Sequence, residues 1–278
     1  MMRLKYFAPA ILFFLAFTLQ GQDVKVMTYN IKYDNVSDTV NNWNDRKHPM
    51  VDLINKFDPG VIGMQEVLFR QLQFLNESMP HLDYVGVGRE DGKEKGEFSP
   101  IFYNTQKFEL LKSGTFWLST TPDEVSIGWD AALERICTYA LFKTKDDDKR
   151  FWVFNTHFDH RGVKARKKSV KLILKKIKAI NREKLPVVLM GDLNLQPEQQ
   201  PIELLAKKMT DGLLVAEKPN KGPIGTFNGF NLEEPINRRI DYIFTEGFTV
   251  RSYSHIDERL PNGKHVSDHL PVIAELSH

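Results

Sequence analysis

Six times along this chain a short apolar run stops on a side chain suited to hydrogen bonding or cation binding. These places are Asn30 in Thr28-Tyr-Asn-Ile31, Glu66 in Gln65-Glu-Val67, His157 in Asn155-Thr-His157, Asp192 and Asn194 in Gly191-Asp-Leu-Asn194, Asp241 in Arg239-Ile-Asp-Tyr242, and Asp268 with His269 in Ser267-Asp-His269. Polar residues at strand ends in layered α/β folds project into a shared crevice, so a chain punctuated in this way is constrained to bring its strand ends together.

The runs between them define the layers. Val24 to Ile31, Gly60 to Gln65, Tyr84 to Gly88, Phe98 to Tyr103, Glu109 to Ser119, Arg135 to Lys143, Arg150 to His157, Leu185 to Met190, Arg239 to Phe244, Thr249 to His255 and Pro271 to Leu276 read as strands. Helices are expected over Lys47 to Phe57, Arg70 to Met79, Val163 to Arg182 and Gln200 to Met209. The opening order is βαβα, and the middle strands, joined by polar turns such as Lys145-Asp-Asp-Asp-Lys149, suit antiparallel pairing. Strands outnumber helices and interleave with them. The burial demands of this series are met by an α/β fold, a four-layer α/β/β/α sandwich of two packed, mainly antiparallel sheets with outer helices.

The helix from Val163 sets Val170, Ile173, Leu174, Ile177 and Ile180 at helical spacing, with Lys167, Lys168, Lys171, Lys175, Lys176 and Lys178 on its other faces. Those lysines read as a solvated face. One domain is expected over residues 22–278, preceded by a signal peptide over 1–21. Arg3 and Lys5 form its basic start, the stretch from Tyr6 to Leu19 is almost wholly apolar, and no charge returns before Asp23. An exported protein, periplasmic or extracellular and not integral to a membrane after cleavage, is the expectation. Removing Arg3 and Lys5 from the 38 basic residues leaves 36, equal to the 36 acids, so global charge gives no support for tight non-specific nucleic-acid binding. The only cysteine, Cys137, rules out an intramolecular disulfide and a cysteine zinc cluster, and its place in a strand pattern points to burial. No segment calls for an obligate protein partner.

Taken together, in number, order and spacing, the six polar motifs closely resemble the endonuclease/exonuclease/phosphatase superfamily, over essentially the whole chain from Val24 to Leu276. That superfamily includes pancreatic-type deoxyribonucleases, abasic-site endonucleases, inositol-polyphosphate phosphatases, neutral sphingomyelinases and deadenylase-type exonucleases. The resemblance implies a DNase-I-like fold and a hydrolase acting on phosphate esters. Such chemistry must neutralise anionic oxygens, orient or deprotonate water and stabilise a leaving oxygen. Hard carboxylate and amide oxygens suit Mg2+ or Mn2+.

By resemblance, Glu66 is the principal metal ligand, with Asn30 beside it and Asp268 near or within the metal shell. Asp192 orients or deprotonates the attacking water, and Asn194 donates to the phosphate. His269 contacts or protonates at the phosphate, with its tautomer set by Asp241, and His157 donates to a non-bridging oxygen. Trp43, Arg46, Gly96-Glu97, Trp129-Asp130, Arg135, Asp159-His160, Arg166 and Thr226-Phe227 resemble features of secreted bacterial members near the deadenylase-like branch. Arg135 suits bidentate phosphate contact or an ion pair with Glu134 or Asp130. Asp159 and His160 suit an extension of the phosphate site or a cap on the turn before the basic helix. Trp43, Trp129, Phe227 and Phe230 suit packing or stacking on a substrate ring. Lys32 stands where some nucleases of the superfamily carry an acid. The substrate remains open between nucleic acid, lipid phosphate and sugar or inositol phosphate, and a non-catalytic binding module on the same fold is the alternative class.

Overall fold

The computed structural model describes residues 23–278; the leader-like segment lies outside them. Among the described residues no helix is long and apolar enough to cross a membrane. In chain order the elements are β1 (Val24–Asn30), α1 (Trp43–Phe57), β2 (Val61–Gln65), α2 (Phe69–Ser78), β3 (Leu82–Val85), β4 (Ile101–Asn104), β5 (Phe108–Trp117), β6 (Ile136–Thr144), β7 (Arg150–His157) and α3 (Val163–Ile180). They continue with β8 (Val187–Asp192), α4 (Gln200–Ala206), β9 (Thr210–Asp211), α5 (Gly212–Val215), β10 (Asp241–Glu246), β11 (Thr249–His255) and β12 (Val272–Ser277).

The strands form two six-stranded sheets, β11-β12-β1-β2-β4-β3 and β5-β6-β7-β8-β10-β9. Pairing is antiparallel except for β1 with β2 and β7 with β8, each parallel pair being joined through a helix. The expected sandwich is therefore present with mixed sheets. Side chains facing the sheet interface include Val24, Val26, Val61 and Ile101 from the first sheet and Phe142, Val153, Val188, Met190 and Ile243 from the second. On the outer face of the first sheet, Met27, Tyr29, Ile62 and Met64 pack with Met50, Leu53 and Ile54 of α1 and Leu72 and Leu75 of α2. Trp152, Phe154, Leu189 and Tyr242 pack in the same way under Val170, Ile173 and Ile177 of α3 and Ile202 and Leu205 of α4.

The two-residue period of a strand decides what reaches the site. In β1, Val24 and Val26 face the other sheet, so Thr28 and Asn30 continue that inner row. In β8 the row is Val188, Met190, Asp192; in β7 it is Val153, Asn155, His157; in β10 Asp241 precedes Ile243. The layer between the sheets is thus apolar along most of its length and turns polar at one edge. Just inside that edge, buried Gln65 donates to Asn155 Oδ1 at 2.7 Å, and Asn155 Nδ2 donates to the carbonyls of Met64 and Pro100, both at 2.8 Å. A Cβ on Gly63 would come within 2.7 Å of Asn155 Cγ, so this amide bridge requires glycine there.

Some boundaries differ from the sequence expectation. Helix α1 begins four residues before Lys47, because Asn42 Oδ1 accepts from Asp45 N at 3.2 Å and starts the helix there, and Pro49 lies inside it. Strand β4 begins after Pro100, and α4 ends at Ala206. The short β9 and α5 were not expected; Asp211 caps α5 and forms an ion pair with Arg239, a contact between distant residues with no local signature. Cys137 is fully buried in β6, as expected.

Candidate active site

The polar edge between the sheets opens into a cleft of about 450 Å³, lined among others by Glu66, His157, Asp192, Asn194, Asp268 and His269. The first sheet side brings Asn30 at the end of β1, Glu66 just beyond β2 and Asp268 with His269 in the approach to β12; the second brings His157, Asp192 and Asp241 from β7, β8 and β10. Asn30 Nδ2 donates to Glu66 Oε1 at 3.1 Å and to Asp192 Oδ2 at 3.0 Å, locking a carboxylate of each sheet to one amide. Glu66 adopts φ 60°, in the left-handed region, and its Oε2 accepts from Tyr33 N at 3.2 Å. Asn194, at φ 48°, donates its own backbone N–H to Asp192 Oδ1 at 2.9 Å. That tight turn fixes the Asp192 carboxylate.

His269 Nδ1 lies 2.8 Å from Asp241 Oδ2, and its Nε2 lies 3.7 Å from Asp192 Oδ2. Asp241 Oδ2 also accepts from Thr226 Oγ1 at 2.6 Å. Burial alone would lower the His269 pKa, but the negative charges of Asp241 and Asp192 outweigh it and push it up to about 10. The imidazole is therefore held as a cation. Burial drives Asp192 up to about 7 against the pull of His269. For Glu66, burial opposes ionisation, yet the charges of Lys32 and His269 with hydrogen bonds from Asn30 and Tyr33 hold it below the ordinary glutamate value. Burial raises Asp268. His157 is pushed well below the ordinary histidine value by burial and by the nearby charges of Arg135 and Arg89, so it is neutral.

His157 lies among polar groups on both ring edges. Asn194 Nδ2 donates to Phe158 O at 3.0 Å and lies 3.1 Å from His157 Nε2, which is also 3.4 Å from Asp192 Oδ2, while Nδ1 faces Glu97 Oε2 at 3.8 Å. Glu97 is tied to Arg89 at 2.6 Å and lines the cleft, a position the strand-end pattern does not reveal because it lies in a loop. Arg135 lies on the cleft wall. Its ion-pair partner is Asp159, Nε to Oδ2 3.4 Å, and neither Glu134 nor Asp130, which corrects the expected pairing. Asp130 instead accepts from Lys164 N and Ala165 N in the first turn of α3.

Asp159 stands behind the cleft. Its Oδ1 accepts from the backbone N–H groups of Arg161 and Gly162 in the turn before α3, which is the capping alternative, and its Oδ2 accepts from Ala132 N–H and from Arg135. His160 does line the cleft, with Nδ1 3.1 Å from Arg135 Nη2. Arg135 Nη1 is buried with no protein partner among the described residues. Of the aromatics, Trp43 is buried against α2, edge-on to Phe74, whereas Phe227 lines the cleft edge-on to His269 at 5.0 Å between centroids. Arg238, which carried no sequence signal, lies over the Phe227 ring at 4.7 Å.

Two arrangements are relevant to a metal ion. One atom each of Asp192, Asp241 and His269 lie within 4.8 Å of one another, a buried group able to hold a metal. In that group, however, His269 and Asp241 already occupy each other. Glu66 and Asp268 are disposed differently: both carboxylates converge on a cation, the Lys32 ammonium, at 3.7 and 3.6 Å. Their hard oxygens suit a divalent ion of the magnesium or manganese type. Asn30 sits beside Glu66 with its amide nitrogen toward the Glu66 and Asp192 carboxylates and its oxygen on Lys32 N, 3.1 Å away.

Comparison with known proteins gives a consistent picture. A family model described as the endonuclease/exonuclease/phosphatase family matches residues 27–269. An uncharacterized protein of Acanthamoeba polyphaga mimivirus is 30% identical over 253 residues, covering 84% of this chain and 92% of its own length. A probable RNA exonuclease of Saccharomyces cerevisiae is 29% identical over 213 residues, 69% of this chain but 41% of the yeast protein. Among solved structures, a mannosyl-6-phosphatase of Bacteroides thetaiotaomicron superposes with a TM-score of 0.87 at 38% identity, over 92% of this chain and all of that one.

Proposed function

The chain belongs to the endonuclease/exonuclease/phosphatase family, and on that premise we propose that it is a divalent-metal-dependent phosphoesterase whose substrate is a small phosphorylated sugar. The observation that carries the reaction class is the buried line Asp241, His269, Asp192 at the edge of the cleft, with Glu66 and Asp268 opposite. In this reading the oxygen of a water bonds to phosphorus as the ester P–O bond breaks, and the electron pair of that bond goes to the leaving oxygen. Asp192 accepts the proton of the water, a task suited to a carboxylate whose burial lifts its pKa close to neutrality. His269, held cationic by Asp241, gives its Nε2 proton to the leaving oxygen, and after turnover Asp192, whose Oδ2 lies 3.7 Å from that Nε2, returns the proton it took from the water. Arg135 and His160 bind the anionic oxygens. A Mg2+ or Mn2+ ion held by Glu66 and Asp268, with Asn30 alongside, would supply neutralisation of phosphate charge.

The preference for a sugar phosphate rests on two observations. The relative named as a mannosyl-6-phosphatase matches over 92% of this chain and the whole of its own. Beside Phe227 and Arg238 the cleft adjoins a further hollow of about 550 Å³ edged by Asn231, Glu234 and Asn237, amide and carboxylate groups suited to hydroxyls. The yeast relative supports a second reading, cleavage of RNA. We also infer export, from the leader-like composition of residues 1–21.

The test is turnover by purified protein, with magnesium or manganese, of hexose 6-phosphates, p-nitrophenyl phosphate, bis-p-nitrophenyl phosphate and single-stranded RNA. Release of phosphate from the monoesters, abolished by EDTA and by Asp192→Ala, is the expected result. Cleavage of RNA alone would replace the sugar reading, and absence of any hydrolysis would overturn the enzyme reading.

A further inference from the structure

Lys32 follows Asn30 by two residues, and the cleft places it in an unusual position. Its backbone is in the left-handed region at φ 59°, which side-chain-bearing residues seldom adopt. Three hydrogen bonds hold it there: its N–H donates to Asn30 Oδ1, and its carbonyl accepts from Arg46 Nη2 and Gln71 Nε2, each at 3.1 Å. With the backbone fixed at both ends, only the side chain is free to change place. The ammonium lies 3.7 Å from Glu66 Oε2, 3.6 Å from Asp268 Oδ2 and 4.6 Å from the Tyr33 ring centroid, with the side chain 28% exposed.

We propose that Lys32 is a built-in counter-cation for the Glu66 and Asp268 carboxylates, which a divalent metal must displace on entry, so that this one side chain sets the metal affinity of the site. The inference rests on the metal-dependent reading above. Two carboxylates packed into one buried corner repel each other unless a cation lies between them. The ammonium fills that need. A divalent ion bound by the same oxygens would face the ammonium within a few ångströms, a like-charge contact only partly screened by solvent, so the two cations exclude one another. The Tyr33 ring already lies under the ammonium in this place, and along that π face the displaced group can turn toward an incoming phosphate. Metal binding and release of a phosphate-seeking lysine become one event.

Calorimetric titration of Mn2+ into the purified protein, Lys32→Met and Lys32→Arg tests this without reference to turnover. Lys32→Met is expected to bind Mn2+ about tenfold more tightly, the scale of two partly exposed ion pairs no longer competing. Lys32→Arg, which keeps the charge, is expected to stay close to the parent affinity. Unchanged or weaker binding by Lys32→Met, or equal tightening by both variants, would overturn the role of Lys32 while leaving the metal-dependent reading standing. Failure of all three proteins to bind Mn2+ would overturn both.

Discussion

Asp241 Oδ2 and His269 Nδ1 meet at 2.8 Å across the boundary between the two sheets, and both side chains are buried. Burial alone would strip the proton from His269, and the Asp241 charge keeps it there, so the pair acts as a unit. Asp241→Asn is expected to lower kcat at least about a hundredfold with little change in KM, because the neutral amide neither holds the imidazole in its tautomer nor keeps it cationic. Steady-state kinetics on a variant shown to unfold cooperatively provides the check.

Arg135 presents beside His160 a buried Nη1 that has no partner among the described residues. Arg135→Gln is expected to raise KM for a phosphate ester by about tenfold, the loss of one charge-assisted contact. Inhibition by inorganic phosphate should weaken in parallel, and a KM equal to that of the parent protein would exclude direct contact.

The amide bridge from Gln65 through Asn155 to Met64 and Pro100 joins the sheets at the floor of the site. Asn155→Ala leaves Gln65 and two carbonyls buried without this partner, so it is expected to cost about 3 kcal/mol, measured as a shift in the urea midpoint.

Gly191 takes φ 147°, and a Cβ there would lie 1.9 Å from the Thr156 carbonyl oxygen on the neighbouring strand. Gly191→Ala must therefore part β7 from β8 immediately before Asp192. Loss of activity together with a lowered melting temperature is expected, whereas Gly263→Ala, where the added Cβ meets no described heavy atom within 4 Å and the strain is limited to a local φ of 81°, should leave activity intact.

His255 is buried, with Nδ1 2.7 Å from the Pro223 carbonyl and Nε2 without a partner among the described residues. Burial lowers its pKa below the ordinary 6.5, so in acid the unfolded chain binds the proton that the folded one refuses. Stability is then complete above about pH 6.5 and falls as the pH drops below it. Urea midpoints across that range should decline less steeply for His255→Gln than for the parent protein.

Much of this molecule is written in its periodicities. The two-residue rows that end on Asn30, His157 and Asp192 are visible as apolar runs capped by polar side chains, and the lysine-studded helix α3 is plain from its spacing. Roles set by contacts between distant residues are not visible in this way. Asp159 looks as suited to phosphate as to a cap until Ala132, Arg161 and Gly162 are seen donating to it. The partner of Arg135 lies 24 residues away, beyond the reach of the nearby acids Glu134 and Asp130. Lys32 is legible as a missing acid, but its place between Glu66 and Asp268 depends on the loop before β12. Pro49 hides the true start of α1, since a proline well inside a helix argues locally against one.

Because each sheet carries only half of the reactive groups, hydrolysis reads out the registration of one sheet upon the other. A change in the distant apolar layer, such as trimming Phe142 or Val188, could preserve every strand and still silence the protein by letting the halves slide by an ångström. Activity is thus a finer gauge of inter-sheet packing than secondary structure content. A panel of core variants ranked by both would show function fading before the fold does.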